Sequence, residues 1–528
     1  MKTPEHVDAR PAPPPAAPPP DARDPAAAAG AEHRLHPMSW LFVLLQQLKQ
    51  FIVPLAALLF FGRGDRNELW PLIGVGVLVV TSLWQYFTYR YGVVGDSLVV
   101  RSGLFERSLR VIPFARIHNV ELQQSLLHRV FDVAEVRLES AGGRKPEAQM
   151  RVLKLTDALA LEALVRRTVQ AGPAAEAAPD ASVTLLTLSA GDVLRLGLVS
   201  NRGLIVVAAA VAAGAQFSPR GLPNGSGSNM VWSLIEGWAR QAFGWFGANG
   251  AGAPAGPSWA TYALAGASLL LAAVLALRLL SVALALLQYW GFTLSELDRR
   301  LTVERGLLAR WRTSATRRRI QSWTLTESVL HRLFRRRGLE VDTAVSDEQQ
   351  QGRALREIAP IATPAACDAL IEHLLPHSGW ATLHWTPLPP HAWRLFLPEA
   401  LATLVACAAA GFYLGPWGFA VLAWLPVAAL KAHRRAQRTA YAVNAQILAV
   451  REGWWSRHWR FAEIEKLQAL HLSRSPMDRR CGTATLWLDT AGAGALSPPL
   501  RIRFMHEADA RALYESLAAT LAERPLRW

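Results

Sequence analysis

The sequence contains few cysteines, and their spacing fits neither a metal site nor a disulfide framework. Its 528 residues include three, Cys367, Cys407 and Cys481, with no Cys-x-x-Cys pair among them. This scarcity excludes a disulfide-stapled secreted domain and favours a reducing compartment. The chain also lacks a phosphate-binding loop and a nucleophile elbow. We therefore expect no cofactor and no metal site.

Charged residues are also scarce, and they are unequal in sign. They make up 18% of the chain, against about 25% in an average soluble protein, while 51% of the residues are hydrophobic. The 56 Lys and Arg outnumber the 41 Asp and Glu, which gives a formal net charge of +15. This composition is typical of a membrane protein with a basic surface that faces anionic lipid.

The hydrophobic residues are concentrated in six runs. These runs cover residues 40–61, 71–89, 203–217, 259–290, 395–414 and 417–430. About 20 apolar residues suffice to cross the roughly 30 Å hydrocarbon layer of a bilayer. We predict six transmembrane helices in three pairs, because the longest run, with Arg278 as its one charge, is too apolar for a soluble core. The alternative is a set of buried core helices, for which the two shortest runs are suitable.

One motif occurs three times and divides the chain into equivalent segments. It has the sequence SLLHRVF at 125–131, SVLHRLF at 328–334 and, in altered form, SPMDRRC at 475–481. Each copy begins 22 residues after a glycine, and these glycines are Gly103, Gly306 and Gly453. Alignment without a gap over this distance indicates one structural unit used three times. Spacings of 203 and 147 residues indicate whole modules rather than turns of a solenoid.

Each repeated segment follows one pair of apolar runs, so hairpins and modules should alternate. An even number of crossings returns the chain to its starting side, and all three modules should therefore share one face of the membrane. Residues 299–337 carry 12 Arg against two acids, whereas the link 218–258 has two Arg and one Glu. Because cationic segments stay on the cytoplasmic side, we expect cytoplasmic modules and cytoplasmic termini.

Each module combines short segments of period 2 with one segment of period 3.6. In the first copy we predict strands at 97–101, 104–112, 116–122, 133–138 and 150–155, then a helix capped by Thr156 and ending near 169. The later copies end alike, with strands at 353–358 and 501–504 and helices at 363–375 and 506–522. The pattern predicts a small curved antiparallel sheet closed by one C-terminal helix. The motif should form a helical turn or tight corner, with its Leu and Phe positions in the core.

The fold class is therefore membrane α-helical hairpins combined with α+β modules. The predicted boundaries are a disordered Pro- and Ala-rich tail at 1–37, transmembrane hairpins at 38–90, 203–290 (with a Gly-rich outer loop) and 393–432, and modules at 91–172, 291–376 and 438–525.

A transmembrane pair followed by a sheet-and-helix module with a glycine turn and a Ser-x-Leu-His-Arg corner resembles the bacterial pleckstrin-homology-like membrane proteins of the YdbS/YdbT type. The first copy matches over 96–138 and the second over 328–334, and the third departs, with Asp478 in place of the histidine. The resemblance extends over nearly all of residues 35–525. It implies three pleckstrin-homology-like β-barrel or sheet modules, each closed by a C-terminal helix, in a bacterial inner membrane. It implies little about activity, because a fold does not fix a function.

The candidate binding residues are the basic side chains of the motif and of the arginine clusters near it. They are Arg116, His128, Arg129, Arg317, Arg318, Arg319, His331, Arg332, Arg335, Arg336, Arg337, Arg479 and Arg480. Cationic side chains beside a bilayer attract anionic headgroups, so we expect these residues to bind lipid or another anion. The alternative is a solvated positive-inside signal without a ligand. For His128 and His331 a hydrogen-bonded structural corner is the simpler role.

Other classes of function have weaker support. A repeated His-Arg could act as a general base with an anion clamp, but no carboxylate or cysteine keeps a fixed offset across the copies. Nucleic acid could meet the same arginines, but lipid headgroups are the nearer polyanion. A transporter would place polar groups at mid-membrane, where Lys49 and Glu399 are candidates. We predict a non-catalytic membrane scaffold that docks on anionic headgroups, on its own modules or on a partner protein, with a transporter as the alternative.

Overall fold

The computed structural model describes most of the chain. The described residues are 33–61, 69–103, 108–140, 148–170, 182–216, 259–343, 355–396, 405, 408–409, 425–490 and 500–523. The chain forms two compact units, residues 1–120 with 127–176, and residues 121–126 with 177–528.

The helices fall into those of the predicted hairpins, module-closing helices and one-turn corners. Their bounds are α1 Ser39–Phe61, α2 Leu69–Thr88, α3 Leu126–Val130, α4 Leu155–Gln170, α5 Ala190–Val199, α6 Arg202–Gln216, α7 Trp259–Tyr289, α8 Val329–Leu333, α9 Pro364–Leu374, α10 Leu425–Arg438, α11 Pro476–Cys481 and α12 Glu507–Ala522. The predicted closing helices are thus present in all three copies as α4, α9 and α12. Thr363 caps α9 as expected, with its side chain accepting from the Ala366 N–H at 3.2 Å.

The strands are short, and the structure describes 21 of them. Their bounds are β1 His33–Arg34, β2 Arg90–Val94, β3 Ser97–Ser102, β4 Ser108–Pro113, β5 Ile117–Gln124, β6 Val133–Ser140, β7 Ala148–Lys154, β8 Val183–Thr187, β9 Thr293–Leu297, β10 Arg300–Arg305, β11 Arg310–Thr316, β12 Ile320–Glu327, β13 Arg337–Thr343, β14 Glu357–Ala362, β15 Thr386–Pro387, β16 Ala440–Val443, β17 Ile447–Glu452, β18 Arg457–Glu463, β19 Leu467–Ser473, β20 Thr483–Thr490 and β21 Leu500–His506.

Each copy begins with a strand that precedes its hairpin in the sequence. In the second copy β8 precedes α5, α6 and α7, yet it pairs with β9, which follows them. In the same way β1 pairs with β2, and β15 pairs with β16. The second copy therefore consists of four strands, β8 to β11, then three strands, β12 to β14, and then α9. The sequence-based boundaries omit the first strand of every copy, and the tail predicted over 1–37 contains β1.

The two halves of a copy extend different sheets. Strands β14-β13-β12 of the second copy join β18-β17-β16-β15 of the third in one seven-stranded antiparallel sheet. Residues 121–124 of β5 pair in the same way with β11. Closed barrels, one of the two forms that the resemblance implied, are absent from the described residues. In the second copy both edges that could close a barrel, β11 and β12, pair with a neighbouring copy instead.

Both of these junctions use the same register. Arg310 faces Gln124 in the β5–β11 ladder, and Arg457 faces Glu327 in the β12–β18 ladder. Counted from the glycine of each copy, the two pairs occupy the same two positions of the repeat. A one-residue slip in register would turn every side chain of the strand to the other face of the sheet. The shared register therefore indicates that the two junctions form in one defined way.

Side chains reinforce the junction between the second and third copies. The Trp323 and Phe461 rings stack with centroids 6.0 Å apart and planes 4° from parallel. Arg460 Nη2 lies 2.9 Å from Asp342 Oδ2, and both side chains are largely buried. Charge-assisted hydrogen bonds of this kind are roughly twice as strong as neutral ones, so this pair stabilises the junction.

One helix is long and apolar enough to cross a bilayer, the Gly266–Tyr289 part of α7. Ala190–Val199 and Arg202–Ala210 pass the same test together, as a pair bent by 53°. This holds for the described residues, and the loop 218–258 and most of the predicted hairpin 393–432 lie outside them. Of the six predicted spans, the structure therefore supports one or two.

Arg278, the one charge of the longest apolar run, donates hydrogen bonds to backbone carbonyls at the break between α5 and α6. Its Nη1 donates to the carbonyls of Leu198 and Ser200 at 3.0 and 3.1 Å. A carbonyl freed at a helix end needs such a donor where water is scarce. Close packing helps, because a Cβ added to Gly197 would lie 2.4 Å from the Cα of Val282 on α7.

The glycine of each copy occupies a turn that requires glycine. Gly103, Gly306 and Gly453 have φ of 135°, 116° and 94°. A Cβ added to Gly306 would lie 1.9 Å from the Ala309 carbonyl oxygen, and the corresponding contact at Gly453 is equally short. The Gly306 N–H donates to the Trp290 carbonyl at 2.9 Å. The turn is therefore fixed to the end of α7.

Candidate functional site

The repeated motif forms a one-turn helical corner between two strands. This corner is α3 between β5 and β6, α8 between β12 and β13, and α11 between β19 and β20. The predicted helical turn is thus confirmed. In the later copies the motif serine caps the helix, since Ser328 Oγ accepts from the His331 N–H at 3.3 Å and Ser475 Oγ accepts from the Asp478 N–H at 3.1 Å.

His331 and Asp478 complete the cap in the same way. His331 Nδ1 accepts from the Ser328 N–H at 3.3 Å and from its hydroxyl at 2.8 Å. Asp478 Oδ2 accepts from the Ser475 N–H at 2.9 Å and from its hydroxyl at 2.7 Å. Only a neutral imidazole can accept at Nδ1, and burial lowers the pKa of His331 against an opposing effect of Glu327. These contacts agree with the hydrogen-bonded structural role that we expect for His331.

The residue that ends each corner has left-handed backbone geometry. Asp132, Arg335 and Gly482 have φ of 51°, 52° and 65°, and they are equivalent positions of the repeat. Glycine is the residue that adopts this conformation without steric cost. Arg335 is therefore held in a geometry that disfavours its own side chain.

The corner lies where the chain enters the hairpin. In the first copy the His128 ring packs on Phe42 of α1, with centroids 4.1 Å apart. In the second, Arg336 Nη2 lies 3.1 Å from Asp192 in the first turn of α5. In the third, His391 lies in the 3₁₀ segment Pro390–Phe396, which overlaps the start of the predicted hairpin, and it donates through Nε2 to a carbonyl at the end of α11 at 3.0 Å. All three corners therefore mark the hairpin end of their copy.

Apolar side chains of the corner and of the glycine turn are exposed at this end. Val130 and Leu333, at equivalent positions, are 77% and 73% exposed, and Trp455 in the turn after Gly453 is 62% exposed. Leu126 and Leu127 are exposed as well. The expectation that the Leu positions of the motif belong to the core is therefore wrong for Leu126, Leu127 and Leu333, whose side chains the one-turn helix leaves exposed.

Four of the candidate arginines belong to the corners and have no carboxylate contact among the described residues. Three of them, Arg335, Arg479 and Arg480, are exposed. Arg129 of the first corner is exposed as well and makes a contact. Arg332 is half-buried, and its Nη2 donates to a carbonyl in the glycine turn of the third copy at 2.9 Å.

Two further corner arginines are engaged by carboxylates. Arg336 donates to Asp192 through Nε and Nη2, at 3.3 and 3.1 Å. Arg337 lies 3.8 Å from Glu327 and 3.7 Å from Asp368. These two side chains hold the hairpin, the corner and α9 together.

The remaining candidates lie at the opposite end of the module. Strand β11 separates the Gly306 turn from the 3₁₀ turn Arg317–Arg319, a distance of about 20 Å for seven extended residues. Arg317 Nη1 lies 3.1 Å from Glu296 Oε1, and its Nη2 donates to carbonyls at the end of α9. Arg318 is exposed, and so is Arg116, the equivalent of Arg319 in the first copy. The structure therefore divides the predicted arginine set between two ends.

The bacterial PH domain family matches this chain three times, over residues 42–169, 252–366 and 395–521. The chain belongs to the bacterial PH domain family. A similar protein is the UPF0699 transmembrane protein YdbT of Bacillus subtilis (strain 168), which is 21% identical over 507 residues, covering 90% of this chain and 96% of that protein. No solved structure gives a significant match. The resemblance noted in the sequence is thereby confirmed.

Sequence reasoning missed a polar cluster that joins the second hairpin to its PH domain. Glu357 on β14 accepts from Arg202 Nη2 at 2.9 Å and from Arg305 Nη1 at 2.6 Å. The Tyr289 hydroxyl, at the end of α7, donates to the same carboxylate, and the Arg202 guanidinium lies 4.7 Å from the centre of its ring. No motif links residues so far apart in the chain, so no local signal could have found them.

The described residues of these PH domains hold no group of three or more His, Cys, Asp or Glu placed to bind a metal ion. Cys367 is buried in the second domain, and burial raises the pKa of its thiol to about 12. A thiol with so high a pKa is a poor nucleophile at neutral pH, and this one fills core space.

Proposed function

We propose that this bacterial PH domain protein is a multi-pass, non-catalytic membrane scaffold. Its three PH domains would lie together on the cytoplasmic face of the inner membrane and dock on anionic lipid headgroups through their corners. One observation carries the proposal, namely that the strand before each hairpin pairs with the strand after it.

That pairing requires each hairpin to return to its starting side. Strands β8 and β9 are neighbours in one sheet, and all of α5, α6 and α7 lies between them in the sequence. Irregular loops and open sheet edges do not occur in lipid-exposed hydrocarbon, so both strands must lie outside the bilayer. If α7 crosses the membrane, a second crossing must precede it. The pairings of β1 with β2 and of β15 with β16 impose the same requirement on the first and third hairpins.

The arginine content supports the cytoplasmic face. Segments rich in Lys and Arg stay inside, and the described part of residues 299–337 belongs to the second PH domain. YdbT, the relative that matches nearly the whole chain, is named a transmembrane protein. Lys49 and Glu399, the pair expected of a transporter, stay a prediction because Glu399 lies outside the described residues.

The corners have the composition of an interfacial contact. Each lies at a hairpin entry. Exposed Leu333 is two residues from exposed Arg335 in the second corner, and exposed Met477 is two residues from exposed Arg479 in the third. Apolar side chains that enter the headgroup layer and cations that meet anionic lipid add their binding free energies. Three candidate arginines stabilise the fold through carboxylate contacts, namely Arg317, Arg336 and Arg337. The candidates at the end of the module opposite the corners would meet only a partner that reaches that end, and these are Arg116, Arg318 and Arg319.

A thermal-shift experiment tests the docking. Full-length protein in a neutral detergent is heated with added phosphatidylglycerol or phosphatidylcholine. We expect phosphatidylglycerol to raise the apparent melting temperature more, and the double variant Arg479→Glu, Arg480→Glu to lose that excess. The matched control Arg116→Glu, Arg318→Glu makes the same charge change at the far end and should keep it. Equal shifts in all three proteins would refute docking at the corners.

Cysteine labelling tests the orientation. In a background without native cysteines, Ser233→Cys in the Gly-rich loop should react with a membrane-impermeant maleimide in intact cells. Arg335→Cys should react only after permeabilisation. Labelling of Arg335→Cys in intact cells would place the PH domains outside and end the proposal.

A further inference from the structure

Two strands end their sheets at positions where a joint would be expected. In the part of the chain that the structure describes, β4 is the outermost strand of the sheet β1-β2-β3-β4, and β19 is the outermost strand of β19-β20-β21. By the repeat, β4 is the equivalent of β11 and β18, and β19 is the equivalent of β5 and β12. The β5–β11 and β12–β18 ladders are two instances of one junction. Strand β4 corresponds to one side of that junction and β19 to the other, and neither has a partner strand on its outer edge among the described residues.

Burial shows what the joint does to the strand that enters it. Leu325 and Trp323 on β12 are 0% and 2% exposed, because β18 lies along that edge. Their equivalents on β19, Leu472 and Leu470, are only half-buried, and His471 between them is exposed. The third copy therefore retains apolar residues at positions that the second copy buries in a joint.

A strand edge that carries apolar side chains is unusual in a protein where that edge stays unpaired. Open strand edges are commonly protected by lysine, by proline or by an inward-pointing charge, since they otherwise pair with another chain. The central residues of β19, from Leu470 to Leu472, include none of these protections. On β4, Leu109 and Val111 are half-buried and occupy the positions of Trp459 and Phe461. The two edges thus carry matching apolar side chains.

We propose that β19 of one copy of this chain pairs with β4 of a second copy, head to tail, in the register of the two internal junctions. That register places Leu472 opposite Leu109 and Leu470 opposite Val111. These pairs correspond to Leu325 with Trp459 and Trp323 with Phe461 in the β12–β18 ladder. The partner is a second copy of this chain, because that copy supplies a β4 for the edge of β19 and a β19 for the edge of β4.

The interface differs from a two-fold dimer. Its two surfaces are unlike, so a dimer leaves one edge of each kind open, and further copies add until a ring closes or a row extends. The inference uses the proposed placement of all PH domains on one face, because only then can β4 and β19 of neighbouring copies meet. The pairing of β4 with β19 does not depend on lipid docking, so either proposal can fail while the other holds.

Cysteine cross-linking tests both the partner and the register. Two differently tagged full-length chains, free of native cysteines, are expressed together, one with Leu472→Cys or Leu470→Cys and the other with Leu109→Cys or Val111→Cys. Directly opposed residues are about 5 Å apart and diagonal ones about 7–8 Å, which exceeds the reach of a disulfide. We expect mixed-tag dimers from the matched combinations, 472 with 109 and 470 with 111, several-fold above the crossed combinations.

Three outcomes would overturn the proposal. One is the absence of mixed-tag dimers, and another is equal cross-linking in matched and crossed combinations. The third is a chain with both Leu472→Cys and Leu109→Cys that cross-links only within itself, because that result would show closure of the edges inside one chain.

A charge variant gives an independent measurement. Leu472→Lys places a solvated charge in the proposed ladder, and we expect loss of the larger species in detergent-solubilised protein by mass photometry. Gln468→Lys adds the same charge to an exposed position of the same strand, outside the equivalent of the β12–β18 ladder, and should leave the larger species intact. Unchanged assembly in both variants, with both melting as the parent does, would exclude this edge as the interface.

Discussion

The corners of the second and third PH domains reach one geometry with different side chains. In both, a serine caps a one-turn helix, and the residue three positions later accepts from the N–H and hydroxyl of that serine. His331 does so with a ring nitrogen, and Asp478 does so with a carboxylate. The left-handed residue that follows is Arg335 in one copy and Gly482 in the other.

This exchange shows which property the position needs. Imidazole and carboxylate differ in charge and in their ability to donate a proton, but both can accept hydrogen bonds from one serine. A histidine that served as a cationic ligand for an anion could not be replaced by aspartate without loss of that role, because a carboxylate repels anions. In both copies this position is therefore a structural element of the corner.

The largest expected effect comes from the glycine that both copies share. Gly306→Ala should destabilise the protein by more than about 3 kcal/mol, since the new Cβ meets a backbone carbonyl at a strained φ. The measurement is the yield of folded protein and its apparent melting temperature in detergent. Gly482→Ala is the matched control, because its φ is also positive but no atom lies within 4 Å of the added Cβ, and it should cost about 1 kcal/mol. Similar losses in the two variants would contradict the steric argument.

Exchange of the cap residue should have the next largest effect. Asp478→Ala removes the acceptor of the Ser475 N–H and of the Thr483 hydroxyl, and should cost about 1–2 kcal/mol. Asp478→His should recover part of that loss at pH 8, because the second copy has a histidine at this position. Thermal unfolding of the two variants beside the parent measures the difference. If histidine were no better than alanine there, the equivalence of the two corners would be wrong.

The repeat and the general form of each module could be predicted from the sequence. The motif, the glycine turn and the closing helices depend on local rules of spacing, capping and backbone conformation, and the structure places them close to the predicted residues. The period-2 segments identified most strands of the first copy for the same reason.

The remaining features depend on contacts between distant residues. Strands β8 and β9 are separated by a hairpin, and β12 pairs with a strand of the next copy, so no window of sequence contains either ladder. The same holds for the candidate arginines. Sequence alone could not separate Arg317, which meets Glu296, from Arg318 beside it, which is exposed, because only the fold decides which one faces a carboxylate.

A smaller effect should follow from making the second corner resemble the third. Arg335→Gly places glycine at a φ of 52°, and should stabilise the protein by about 1 kcal/mol or less. Arg318→Gly removes the same charge in a 3₁₀ turn, where glycine has no such advantage, and should be neutral or destabilising. The two variants are compared by thermal unfolding. Stabilisation by both would mean that relief of charge repulsion, rather than backbone geometry, is the cause.

The smallest effect is a dependence on pH that the second corner has and the third lacks. Burial lowers the folded-state pKa of His331 below its ordinary value of about 6.5, so the neutral acceptor stabilises the fold fully above that value. This contribution is lost as the pH falls through the lower folded-state pKa, because a protonated Nδ1 can no longer accept from Ser328. His331→Asp should keep its cap over the same range, since a carboxylate stays ionised there. We expect the parent to lose up to about 1 kcal/mol relative to this variant between pH 7.5 and pH 5. Melting curves of the two proteins at matched pH measure it, and parallel curves would show that the ring does not act as an acceptor.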